Sequence, residues 1–145
     1  MTKNDSALFY TCSLIEYIGR QQQLPRNEVV IALGKENLQR IYRYADVLHC
    51  EPIARVADEY ITMAKIPKGN FDNVGTCRYT APDYWTIGEV YSRLIADLPS
   101  DDCVTAIMET YQSWISDKIS NYNTDFYYQP RDYIKECFLA NEVLE

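Results

Sequence analysis

The residues with the widest chemical repertoire stand together at positions 46–51, where Asp46, His49, Cys50 and Glu51 occur. Asp46 and His49 are three positions apart and would share a helix face, offering two metal ligands. A metal site needs three or four converging ligands, and His49 is the only histidine of the chain. No metal is expected. Nucleophilic catalysis by a thiol would need His49 to reach a cysteine and a third group to orient it. Neighbouring helical positions point about 100° apart, which makes Cys50 a poor partner for His49. A histidine in the last turn of a helix, favoured there by the macrodipole when protonated, accounts for these residues without chemistry.

Other reactive-looking pairs reduce to backbone shaping. Asp101 and Asp102 follow Pro99 and Ser100 and read as the capped start of a helix rather than a general acid and base. Gly69 and Gly75 flank Asn70, Asp72 and Asn73, which favour local side-chain to backbone bonds. The Gly-Lys-Ser/Thr ending and preceding strand of a phosphate loop are missing. The chain is not expected to be an enzyme, and no cofactor is expected.

Two aromatic, turn-forming stretches, residues 69–85 and 121–133, are the best candidates for a recognition surface. The first holds Phe71, Arg78, Tyr79, Tyr84 and Trp85; the second holds Phe126, Tyr127, Tyr128 and Arg131. Tyr and Trp give large contact areas with a polar tip and concentrate at protein–protein hot spots. These nine residues are the expected partner-binding set, with the rings partly exposed on a common side and the two arginines available to pair with carboxylate or phosphate. The alternative is that Trp85, Trp114 and several tyrosines complete the core.

The elements that must position these residues read as helices. Leu8, Cys12, Ile15 and Ile18 form one apolar stripe over residues 6–21, with Gly19 and Pro25 as the stop. A short helix runs from Pro25 to Leu33 and ends at Gly34, and Leu38, Ile41, Tyr42, Ala45 and Leu48 form the face of the next. Pro52 opens a helix carrying Ile53, Val56, Ala57, Tyr60 and Ile61. Thr86-Ile-Gly-Glu89 has the form of a capping box ahead of Val90, Tyr91, Leu94, Ile95 and Leu98. The longest helix is expected from Val104 to Tyr122, and a last short one from Pro130 through Phe138. No strand-like alternation, internal repeat or low-complexity tract is present.

The 145 residues suit one domain, which at this size buries roughly 68–70% of the surface its unfolded chain exposes. The expectation is an all-α, single-domain bundle of six or seven helices with two aromatic-rich loop segments. Five cysteines spaced 26 or more positions apart, with no C-x-x-C pair, fit reduced thiols. The first residues lack the layout of a signal peptide and no apolar run approaches a membrane span, so a cytoplasmic location is expected and no membrane partner. Residues 1–68 hold nine Lys/Arg and eight Asp/Glu, whereas residues 69–145 hold five and thirteen. That negative field repels phosphate backbones and would steer a basic partner; it also serves solubility.

The stretch Leu38-Gln-Arg-Ile-Tyr-Arg-Tyr44-Ala-Asp46-Val47-Leu48-His49, preceded by Ser6 to Glu16 and by Glu28-Val-Val, resembles small helical bacterial proteins proposed as the antitoxin halves of toxin/antitoxin gene pairs. The resemblance covers roughly the first 65 residues and rests on a helix, a short helix and a Y-x-x-L-H-like ending, matched by Tyr44, Asp46, Val47, Leu48 and His49. It implies neutralisation of a cognate toxin by binding, without catalysis. Two alternatives follow from the residues themselves. Residues 26–48 have the outline of a helix-turn-helix with Lys35, Arg40 and Arg43 on its second helix, though Glu36, Asp46 and the acidic chain argue against nucleic acid. A small-molecule pocket beneath the aromatic loops is the other.

Overall fold

The computed structural model describes residues 4–144, and these build an all-α domain with no strand among the described residues. Eight α-helices follow in order: α1 (Asp5–Gln22), α2 (Arg26–Arg43), α3 (Ala45–Leu48), α4 (Ile53–Ala64), α5 (Tyr84–Asp97), α6 (Cys103–Tyr111), α7 (Trp114–Ser120) and α8 (Arg131–Ala140), with a 3-10 turn at Phe126–Tyr128. No helix among the described residues is long and apolar enough to cross a membrane.

Helix α1 is the axis of the bundle. From Ala7 to Gly19 only Phe9 and Tyr17 escape full burial, so its apolar stripe is supplemented by buried Thr11, Ser13 and Glu16. Its most extensive neighbour is α5, followed by α2. Gly88 makes the α1–α5 approach close: a Cβ there would stand 2.8 Å from Ser13 Cα and 2.9 Å from Ser13 N, so even alanine would force the helices apart. The start of α1 is capped by Asn4, whose side chain accepts from the Ala7 N–H at 3.1 Å.

Several boundaries differ from the sequence expectation, each for a local reason. Gly19 does not stop α1; it lies buried inside the helix, and Gln23 ends it in the left-handed conformation at φ 52°. Gly34 (φ 77°) ends the first segment as expected, but the next segment starts directly after it, so α2 runs on across a kink. A single non-helical residue therefore separates 26–33 from 35–43, not the three or four residues of a DNA-binding turn, and Leu38 and Ile41 of the second segment are buried. The 38–48 helix breaks at Tyr44 (φ −105°, ψ 16°), leaving α3 as a single turn. The cap lies one turn earlier than expected and is not a capping box: Asp83 accepts from the Thr86 N–H at 2.7 Å, and Tyr84 and Trp85 are already helical. The expected longest helix is two, α6 and α7, parted where the Ser113 hydroxyl donates to the Thr110 carbonyl at 2.7 Å and competes with the helical ladder.

At the centre stands an ion pair. Arg26 Nε lies 3.0 Å from Glu16 Oε1, and both side chains have 0% exposure. Arg26 Nη1 donates to the Leu24 carbonyl at 2.8 Å and Nη2 reaches Asn73 Oδ1 at 3.5 Å. The bare Cα of Gly19 gives the Arg26 side chain its room, which is the physical role of that glycine. Burial pushes the Glu16 carboxyl above its ordinary value, opposed by Arg26, Arg20 and the Tyr111 hydroxyl. Above the pair, the Tyr91 and Tyr111 rings stack at 3.9 Å and the Tyr91 hydroxyl meets Ser116 Oγ at 2.8 Å.

Removing one partner strands the other charge in the core, so Arg26→Met is expected to cost about 3–5 kcal/mol, a large share of the roughly 5–15 kcal/mol that holds a domain folded. The double variant Glu16→Leu/Arg26→Met should be less destabilised than Arg26→Met alone. Because the folded chain holds the Glu16 proton more tightly than the unfolded chain, this group's stabilising contribution is full below the ordinary carboxyl value of 4.5 and declines as pH rises through its raised folded value. Urea unfolding of the variants across pH measures both effects; Glu16→Gln should flatten that slope.

Candidate functional site

The two aromatic stretches meet. Residues 65–83 form a long connection laid along the C-terminal end of α1, where the Gly69 N–H donates to the Gln22 carbonyl and the Phe71 N–H to the Gln23 carbonyl, both at 2.8 Å. Inside it, Asp72 Oδ1 accepts from the Gly75 N–H at 2.7 Å, the local side-chain turn that Asp and Gly favour. The connection then crosses to the second stretch. Asn123 Oδ1 accepts from the Arg78 N–H at 2.7 Å, Asn123 Nδ2 donates to the Thr76 carbonyl at 3.3 Å, and Cys77 Sγ lies 3.7 Å from the Tyr122 carbonyl oxygen.

Two polar side chains, buried Asn73 and partly buried Arg20, hold this junction. Asn73 Nδ2 donates to the Ser120 carbonyl at 3.0 Å while its oxygen faces Arg26. Arg20 Nη2 donates to the Pro82 carbonyl at 2.6 Å and to the Tyr122 hydroxyl at 3.1 Å, with its guanidinium carbon 5.4 Å from the Tyr122 ring centroid. Neither Asn73 nor Arg20 belongs to the expected site, and no local pattern distinguishes them from surface residues. Their roles depend on contacts 47 and 102 positions away in the chain.

The nine expected residues fall into distinct environments. Tyr79 and Tyr128 are two-thirds exposed (67% and 66%), Trp85 is 38% exposed, and Arg78 is exposed. Phe71, Tyr84 and Tyr127 are half-buried. Tyr84 packs edge-on to Tyr17 at 5.1 Å, and Trp85 lies 5.4 Å from Phe9. Tyr127 stands edge-on between Tyr122 at 5.8 Å and Tyr128 at 5.0 Å. Burial raises the Tyr84 and Tyr127 phenols above their ordinary value, so both are neutral at physiological pH. Phe126 departs from the expectation: it is 6% exposed and belongs to the core, packing toward Tyr133. Arg131 departs as well. Its guanidinium is engaged two-pronged by its own Asp97 at 2.7 Å on each arm, because α8 brings it beside the end of α5.

Between α5 and the second stretch runs a cleft of about 240 Å3, with Val90, Leu94 and Ile134 among its lining residues together with Thr86, Tyr127 and Tyr128. Its edge also carries the Glu89–Arg93 pair at 3.1 Å. Val90 and Leu94 read in the sequence as ordinary core positions rather than as the wall of a pocket. In the turn beyond α3, Cys50 Sγ lies 3.6 Å from His49 Nδ1. The thiol also meets the Asp46 carbonyl at 3.8 Å. No group of three or more His, Cys, Asp and Glu side chains converges among the described residues.

Comparison with protein-family models, with curated proteins and with solved structures gives no match.

The cap of α5 governs where Trp85 points. Asp83→Ala is expected to cost about 1 kcal/mol of stability and to loosen the first turn of α5, read as a red shift of the tryptophan emission. The Thr86 N–H holds the Asp83 carboxyl below its ordinary value, so the cap is intact at neutral pH and weakens as pH falls through that lowered value. Acid titration of the emission should show this transition in the parent and lose it in Asp83→Ala.

Proposed function

We propose that this chain is a non-catalytic protein-binding domain whose partner docks on the face built from the two aromatic stretches, and that the partner is a toxin neutralised by the contact. The observation that carries the reading is the direct hydrogen bonding of residues 76–78 to residue 123, which joins two segments distant in sequence into one surface. That surface exposes Tyr79 and Trp85, and Tyr128 lines a cleft of about 240 Å3. Its dimensions suit one large side chain of a partner, the arrangement in which a few aromatic anchors carry most binding energy. The acidic second half of the chain favours a basic partner. The toxin reading rests on the resemblance of the first 65 residues.

The test is affinity capture of the tagged protein from extracts of its own cells, followed by expression of the captured protein with and without this chain. A stoichiometric partner that stops growth alone and is harmless when co-expressed supports the toxin reading. Capture of a partner without toxicity keeps protein binding and removes neutralisation, and no partner at all removes both. Tyr79→Ala and Tyr128→Ala should each weaken the complex by about tenfold or more, since truncated hot-spot aromatics cost upwards of 1–2 kcal/mol. Their melting temperatures should stay near that of the parent, because both rings are mostly exposed. Tyr127→Ala, which removes a packed ring, should lower melting temperature as well.

A further inference from the structure

A second hollow lies where α1, the corner between α2 and α3, and the first turn of α5 meet. It measures about 580 Å3, within the roughly 300–1,000 Å3 of small-molecule sites. Four aromatic residues line it, Phe9, Tyr10, Tyr42 and Trp85, and a wall of this kind takes a planar apolar group. Tyr10 is 5% exposed and its hydroxyl has no hydrogen-bond partner. Burial, with Glu51 and Tyr60 nearby, pushes that phenol up to about 12, so it remains a neutral donor.

Two unlike charges share the lining, Arg43 and Asp46, with His49 beside them. On a continuous helix, positions three apart would face each other and pair. The break at Tyr44 prevents this, and neither Arg43 nor Asp46 forms an ion pair among the described residues. An unpaired cation and an unpaired carboxylate on one hollow suit a ligand that carries both complementary charges.

We infer that this hollow binds a small aromatic zwitterion, of which a free aromatic α-amino acid is the simplest member, with its ring against the Phe9 and Trp85 wall, its carboxylate toward Arg43 and its ammonium toward Asp46. Trp85 is shared with the partner-binding face, whereas Arg43 and Asp46 lie outside the stretches assigned to it, so the charge crossover at these two residues tests this reading alone.

The experiment is calorimetric titration of the full chain with four probes: L-phenylalanine, phenethylamine, 3-phenylpropionate and N-acetyl-L-phenylalaninamide. L-Phenylalanine should bind one to one and most tightly. Arg43→Gln should weaken L-phenylalanine and 3-phenylpropionate by about two- to fivefold and leave phenethylamine unchanged, the scale of exposed ion pairs. Asp46→Asn should do the reverse, weakening L-phenylalanine and phenethylamine. Ser6→Trp, at an exposed position of the lining, should block every probe. Should that variant fail to fold, the crossover between Arg43→Gln and Asp46→Asn still decides the matter. Two results overturn the inference: no saturable heat with L-phenylalanine up to about 10 mM, weaker than any useful affinity, or equal binding of the capped amide, which would make the hollow a seat for an aromatic residue within a peptide.

Discussion

Glu16 and Arg26 have no exposed side-chain surface, and the partners that Arg26 reaches set the arrangement around them. Taking two charges out of water costs several kcal/mol per ion, which is recovered only if the remaining hydrogen-bonding capacity is met with good geometry. Arg26 meets it by reaching in three directions: to Glu16 on α1, to the carbonyl of Leu24 in the α1–α2 turn, and to Asn73 in the long connection. Asn73 then passes the constraint to the end of α7 through the Ser120 carbonyl. An apolar core of the same volume could be as stable. It would not dictate where a connection between α4 and α5 must lie, since apolar contact is non-directional. Fixing that position is what the buried pair contributes.

The order of the aromatic face follows from this. Residues 65–83 form a connection longer than most in compact domains, a length more typical of binding loops than of simple linkers. Pinned by Asn73 from inside, by Arg20 at Pro82 and by Asn123 at Thr76 and Arg78, the segment presents Tyr79 from a fixed backbone. A loop ordered before it meets a partner avoids the entropy of ordering at the moment of contact, which otherwise subtracts from affinity. The buried pair and the exposed aromatic face are thus two ends of one hydrogen-bonded chain of residues.

Much of the architecture was legible in the sequence, and the illegible parts share a cause. Apolar spacing along Leu8, Cys12, Ile15 and Ile18, and along Val90, Leu94 and Leu98, marks helices because burial of one face is a periodic demand. Pro25, Pro52 and Pro130 mark helix starts through their fixed φ. The breaks at Tyr44 and Ser113 carry no such mark, since neither residue is a strong helix breaker and tertiary packing decides. Gly19 misleads for a related reason: the residue it makes room for is Arg26, seven positions on. Within the candidate face, residue type located Tyr79, Trp85 and Tyr128 in exposed positions but could not separate them from Phe126, which the same stretch turns inward. Ring type is a local property. Exposure is settled by what packs above it.

Charge on the face obeys the same logic of internal pairing. Arg131 is held by Asp97 and Arg93 by Glu89, so two of the guanidiniums near the cleft are already neutralised within the chain. Acidic residues dominate the second half, and only five Lys or Arg accompany thirteen Asp or Glu there. What the face offers is therefore aromatic surface with phenolic tips inside a negative field, with Arg78 as its exposed cation. Such a field reaches about 8 Å at physiological ionic strength and acts on the encounter, raising the rate at which a basic partner arrives. The rings act after arrival, because desolvated aromatic contacts govern how slowly a complex separates. In the proposed complex the two contributions are separable in kind: charge selects what approaches, and Tyr79, Trp85 and Tyr128 determine what stays.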